Sequence, residues 1–182
     1  MSTIFRSWLF LQDKLLGSIA GVALLGATLL AIIEIPRRYI FGVTFFWSQD
    51  AVTYFITAAC FLYFGNALAQ RTHLAVTVLP EWLQKAGKQK LSLAVRSLAN
   101  MLGLLFCVGF VWFGWPGAER TMMIGRMTES MVIPLWPFQF VLLVGIAMLG
   151  ITYLFHFYRD FLWLVTGKDP FPWDTIYTEF EL

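Results

Sequence analysis

Apolar residues in this chain do not alternate with charged ones in short faces. They collect in four runs that hold no Asp, Glu, Lys or Arg, at 15–33, 51–69, 97–115 and 132–155. A helix rises about 1.5 Å per residue and a bilayer's hydrocarbon core is about 30 Å thick, so roughly 20 apolar residues make one crossing. Each run is long enough, and together they predict four transmembrane helices. The last run carries Pro134 and Pro137 near its start, where a helix tolerates proline. No small-residue cleavage site follows the first run, which therefore reads as a retained span rather than a secretory signal.

Two further segments have the pattern of helices lying in the membrane surface. Ile4, Phe5, Trp8, Leu9 and Leu15 recur at helical spacing with Arg6, Gln12 and Asp13 among them, which suggests an amphipathic helix on the inner leaflet. In the middle loop Pro80 can open a helix whose Trp82, Leu83, Ala86 and Leu91 alternate with Gln84, Lys85, Lys88 and Lys90, setting lysines toward anionic lipid. The expected fold is thus an all-α integral membrane protein: one four-helix membrane domain over 1–165 with interfacial helices, followed by a tail at 166–182.

Composition agrees, with 59% hydrophobic and 13% charged residues where soluble domains carry about a quarter charged. Charge also orients the chain. Of its 13 basic residues, Arg6, Lys14, Arg71, Lys85, Lys88, Lys90, Arg96, Arg159 and Lys168 fall on one side of the four spans, against Arg37, Arg38, Arg120 and Arg126 on the other. Cytoplasmic segments are enriched in Lys and Arg, so both termini and the 166–182 tail are expected in the cytoplasm. Trp47, Trp115 and Trp136 then anchor outer span ends, and Trp82 and Trp163 the inner face. A net charge of +2 spread around the spans gives no surface for nucleic acid, and membrane lipid is the expected surrounding.

The spans hold little that could do chemistry. Ionisable groups inside a bilayer are functional by default, but Glu34 and Arg96 lie at span edges, and between them only Ser, Thr and Asn occur. Asn66 fits an interhelical hydrogen bond. A four-helix small exporter would need a carboxylate within its first span, whereas Glu34 comes at the outer end. A haem-binding redox subunit would need paired histidines, and the chain has only His73 and His156. Cys60 and Cys107 fall in mid-span, as packing residues. No catalytic residue, metal site or cofactor is expected, and the chain does not read as an enzyme. Gly17 and Gly21, and Ala23, Ala27 and Ala31, repeat every fourth position, a stripe that lets a neighbouring helix approach closely.

The first outer loop and second span carry a family pattern. Glu34 is followed by Arg38, Tyr39, Ile40, Phe41 and Gly42; Trp47, Ser48, Gln49 and Asp50 lead into the second span; Gly65, Ala67, Ala69, Arg71, His73, Leu74, Ala75 and Val76 close it; Pro134, Leu135, Trp136 and Pro137 open the last. These stretches resemble the DctQ-like small membrane subunit of tripartite ATP-independent periplasmic (TRAP) transporters, over about residues 10–160. Asp50 stands where Glu is usual, and Thr77 where an Asp often follows.

The resemblance implies a bacterial inner-membrane, multi-pass scaffold. Its partners would be a large membrane subunit, which carries the solute and coupling sodium ions, and a periplasmic substrate-binding protein that delivers the solute, often an organic acid. No hydrophobic run follows the fourth, so the large subunit is expected as a separate chain. Docking of the binding protein would fall to the outer loops: Glu34, Arg37, Arg38, Trp47 and Asp50 in the first, Glu119, Arg120, Arg126 and Glu129 in the other. Arg38 and Asp50 could pair to fix the first loop. Arg71 and His73 would pin the inner end of the second span or contact the large subunit, as would the Gly17 to Ala31 stripe. A self-sufficient homo-oligomeric carrier, a four-helix redox subunit and an assembly factor remain the alternatives at this point.

Overall fold

The computed structural model describes residues 7–69, 82, 83, 85, 87–130 and 132–167. Four long helices account for most of them: α1, Ser7–Ile40; α2, Ser48–Ala69; α3, Gln89–Ile124; and α4, Trp136–Thr166. No strand occurs among the described residues; the nearest approach is an isolated antiparallel bridge between Met127 and Pro134. α1, α3 and α4 are each long and apolar enough to cross a membrane. The run at 51–69 is helical as expected, but α2 is not among those three.

The helices outrun the apolar stretches that predict them. α3 has 36 residues, about 54 Å at 1.5 Å each, well beyond the hydrocarbon core. Loss of apolar character does not end a helix; capping of its last carbonyls does. α3 stops where Gly125 takes φ +66°, a left-handed conformation that glycine adopts without a Cβ clash. There the amides of Gly125 and Arg126 reach back to the carbonyls of Met122 and Thr121 at 3.1 Å each, a Schellman closure. Glu34, Arg37 and Arg38 are therefore the last turns of α1, and Glu119 and Arg120 belong to α3, rather than to outer loops. At the inner end Lys90 and Arg96 lie inside α3, and His156, Arg159 and Asp160 inside α4.

The N-terminal segment also departs from expectation. Among the described residues it is no separate surface helix but the first turns of α1, wound as a π-helix over Leu11–Gly17. The cause is Gln12. Its side chain is fully buried and donates from Nε2 to Thr152 Oγ1 on α4 at 2.9 Å. Trp8 Nε1 reaches the same hydroxyl at 3.3 Å, and its ring lies 6.3 Å from that of Phe155. Of the middle-loop helix expected from Pro80, the described part is a helical turn holding exposed Trp82 and Lys85 and buried Leu83, after which Lys88 N–H bonds the Leu83 carbonyl at 3.0 Å.

α4 is the central element, packed along α3 on one side and α2 on the other, with α1 laid against α2. Small residues set these approaches. A Cβ on Gly145 would meet the Phe61 carbonyl oxygen of α2 at 2.6 Å, one on Gly65 would meet Gln12 Nε2 at 2.7 Å, and one on Gly103 the Tyr153 ring at 2.7 Å. Cys107 is buried beside Gly150, whereas Cys60 faces outward. In the expected α1 stripe, Ala27 is buried and Gly17, Ala23 and Ala31 are half-buried, but Gly21 is exposed with open space around it.

Candidate functional site

The end of the molecule expected from sequence to face outward, called the outer end below, is built from the last turns of α1, the 41–47 link, the start of α2 and the 125–135 link. Ser48 opens α2, its hydroxyl donating to the Phe45 carbonyl at 2.9 Å while its amide bonds the same oxygen at 3.2 Å. Phe45 then becomes the hub of the first link. Its amide donates to Glu34 Oε1 at 3.2 Å, the Arg37 guanidinium lies 3.9 Å above its ring, and the Trp47 ring is 5.5 Å away. A cation over an aromatic face gains from the ring's negative quadrupole, so Arg37 and Glu34 grip the link from two sides.

Asp50 does something different from the pairing with Arg38 anticipated from sequence. Its Oδ2 accepts the backbone amide of Ser130 at 2.8 Å, 80 positions later in the chain. Thr128 Oγ1 and Ser130 Oγ lie 3.1 Å apart beside it. Hydrogen bonds from the Ser130 side chain, then its amide, then Thr128 hold the Asp50 carboxyl below its ordinary value of 3.8, because each favours the ionised form. The second link is itself folded back on two bonds, Thr128 N–H to the Ile133 carbonyl at 2.8 Å and Leu135 N–H to the Arg126 carbonyl at 3.0 Å. Asp50 thus fastens the two outer links together.

The anticipated docking residues divide accordingly. Glu34, Arg37, Trp47 and Asp50 fall into this network. Arg38 lines a groove of about 430 Å³ shared with Glu34, Phe46 and Gln49. Arg126 and Glu129 are exposed on the second link, and Glu119 and Arg120 are exposed on α3. Arg71 and His73 lie outside the described residues. Trp115 and Trp136 each stack edge-on against Phe140, at 5.3 and 6.2 Å, near the predicted outer surface.

Sequence reasoning missed the polar contacts at the inner end. Asp160 on α4 is fully buried and bound from α3, by Arg96 Nη2 at 3.2 Å and Asn100 Nδ2 at 3.0 Å. Two donors on successive turns of one helix clamp a carboxylate on the other. A signal was present: Thr152, His156, Arg159 and Asp160 follow one another at helical spacing, and all four are buried. Among the described residues, no cluster of His, Cys, Asp and Glu could hold a metal ion.

A family profile described as "Tripartite ATP-independent periplasmic transporters, DctQ component" matches residues 27–162. The chain belongs to that family. No curated protein matches it otherwise. As a DctQ component it is the small membrane subunit of a TRAP transporter, a multi-pass membrane protein whose partners are a large membrane subunit and a binding protein. The match takes in the second half of α1, all of α2 and α3 and most of α4, including both outer links and the Arg96–Asn100–Asp160 contact. In this DctQ component those features are therefore part of the family domain, while Trp8 and Gln12 precede it.

Proposed function

We propose that this DctQ component is a non-conducting scaffold for a sodium-coupled transporter of an organic acid or similar small solute. It crosses the bacterial inner membrane four times, with both termini and the 166–182 tail cytoplasmic. The large subunit carries solute and sodium, and the outer end described above meets the binding protein.

The observation that carries the reading is where the polar side chains of the helical body point. Gln12 and Trp8 bond Thr152, and Arg96 and Asn100 bond Asp160: each contact joins one helix to another. A groove of about 720 Å³ between α3 and α4 is walled by apolar residues such as Leu104, Val108, Val111 and Leu154. A path for ions needs polar groups facing a cavity, whereas these face their neighbours. Glu34, the carboxylate a small carrier would require, is held by Phe45 at the outer end of α1.

For docking, Arg126 and Glu129 with Glu119 and Arg120 offer exposed charges of both signs, which orient a partner and speed encounter more than they add affinity. Trp47, Arg37 and the Asp50 contact keep the neighbouring surface in shape. Arg71, His73, Gly21 and the exposed face of α1 are assigned to the large subunit.

The test is uptake by the reconstituted complex with and without this chain, beside solute binding to the large subunit alone. The scaffold reading expects uptake to vanish and binding to persist with unchanged affinity. Sodium-driven uptake by the large subunit without this chain would refute it.

A further inference from the structure

Three lysines at the N-terminal end of α3 are left over by the fold. Lys85, Lys88 and Lys90 are exposed, and among the described residues no ion pair engages any of them. Their neighbours are engaged: Arg96 holds Asp160, and the Arg159 guanidinium lies 5.7 Å over the Trp163 ring. The chain offers the lysines no acid close by, since Trp82 to Ala118 contains neither Asp nor Glu. α4 offers none either. It runs antiparallel to α3, with Tyr153 against Gly103, Leu143 against Gly114 and Asp160 bonded to Arg96. Thr166 follows Asp160 by six residues and Lys90 precedes Arg96 by six, so α4 ends level with the lysines, and its stretch 161–167 is uncharged.

The patch is not only basic. Trp82 is 64% exposed and Leu91 49% exposed, while Leu83 is buried and holds the turn to the body. Gly87 takes φ +75°, and the Lys88 amide bonds the Leu83 carbonyl at 3.0 Å, so the turn is closed just before α3 begins. Height matters as well. Lys90 precedes the uncharged run 97–115 by seven residues, about 10 Å of helix, and the headgroup layer outside the hydrocarbon is about 5–8 Å deep. A lysine on its four-carbon stem spans the remainder. A soluble anion would neutralise these lysines and leave Trp82 and Leu91 in water. A phospholipid meets both, with its phosphate at the ammonium groups and its glycerol and upper acyl region against the apolar side chains.

We propose that the 82–91 segment binds an anionic phospholipid of the adjoining leaflet, its headgroup held by Lys85, Lys88 and Lys90 and its glycerol region by Trp82 and Leu91. Basic side chains beside a span gain from anionic headgroups, and apolar side chains among them add burial in the interface. Every one of these side chains is exposed, so the lipid displaces only water. The inference rests on the four-span reading for placing this end of α3 at a membrane surface, and it holds whether or not the chain acts as a scaffold.

The experiment is native mass spectrometry of the full chain, delipidated in mild detergent and offered phosphatidylglycerol and phosphatidylcholine of identical acyl composition. The wild-type chain is expected to prefer phosphatidylglycerol by about fivefold, the worth of one lysine facing an anionic surface. The triple variant Lys85→Gln, Lys88→Gln, Lys90→Gln should retain the two lipids equally, whereas the triple change to Arg keeps the charge and should keep the preference. Trp82→Gln should weaken retention of both lipids alike; unchanged retention would make the patch a plain anion site and overturn the proposal. Equal retention by wild type, or a preference that survives the Gln triple or is lost in the Arg triple, would overturn it too. If equal retention turned into a preference on neutralising Asp169, Asp174, Glu179 and Glu181, the lysines would belong to the acidic tail instead of to lipid. Circular dichroism checks the fold of each variant.

Discussion

Adding one methyl group at Gly145 should separate α2 from α4. The new Cβ would sit 2.6 Å from the Phe61 carbonyl oxygen, 2.8 Å from its carbon and 3.2 Å from Leu62 N, all backbone atoms of a helix that has no rotamer to yield. Ordinary contact begins at 3.4 Å, so the helices must part by about 0.8 Å there. A radial gap of that size forfeits a quarter to a half of each contact's dispersion energy. For about 40 atom pairs at ~0.15 kcal/mol each, losing a third gives roughly 2 kcal/mol, inside the 1–3 kcal/mol typical of overpacking. Alanine returns about 0.5–1 kcal/mol through its better helix propensity, leaving Gly145→Ala net destabilised by about 1–1.5 kcal/mol.

Gly21→Ala is the internal control. Nothing lies within 4 Å of the Cβ it would add, so the same substitution gains helix propensity and meets no clash. The assay is reversible unfolding of the purified chain in one detergent, where the two variants should shift stability in opposite directions. A Gly145→Ala variant as stable as wild type, or a Gly21→Ala variant as damaged as Gly145→Ala, would refute the assignment of α4, rather than the Gly17–Gly21 face of α1, to the tightest helix contact.

Two other contacts give predictions of their own. Arg96→Gln removes a cation bonded to the fully buried Asp160 and should cost up to about 3–5 kcal/mol, the range of a broken buried pair. Asp160→Asn should lose less, about 2 kcal/mol, because the Arg96 side chain keeps 24% exposure and can turn to water or headgroups. Equal losses in thermal unfolding would contradict that asymmetry. Asp50, whose carboxyl is held below 3.8, favours the folded outer end in its ionised form. That contribution is complete above 3.8 and is lost as the pH falls through the lower folded value. Amide exchange at Ser130, corrected for its intrinsic pH dependence, should therefore lose protection in this acid range in wild type. Asp50→Asn should show no such transition.

The order and type of the helices were legible because lipid demands uncharged runs. Where they end was not, since an apolar run measures the surface turned to hydrocarbon while a helix continues until its carbonyls are capped. Gly125 and Gly167, both at positive φ behind a helix, mark the true ends of α3 and α4 in the sequence. Packing faces were legible only as a type of residue. Glycines at 17 and 21 and at 145 and 150 look alike in the sequence, and only the partner helix decides that Gly145 touches backbone while Gly21 touches nothing. Asp160 escaped notice because it follows the apolar run by one helical turn, where a charged residue reads as loop.

The contacts that escaped notice share one recipient. α4 takes Gln12 and Trp8 of α1 at Thr152, Arg96 and Asn100 of α3 at Asp160, and the α2 backbone at Gly145, while the link leading into it is held by Asp50 of α2. Apolar packing in lipid gains little from one rotation of a helix over another, because lipid tails are as apolar as leucine. Directional bonds at the middle and inner end of α4 and at the outer link, with one backbone contact between them, fix its rotation and its height together. The outer loops cannot then shift without moving a bonded helix. The proposed scaffold role, an outer docking surface held in register with a partner inside the membrane, needs that coupling, and α4 supplies it.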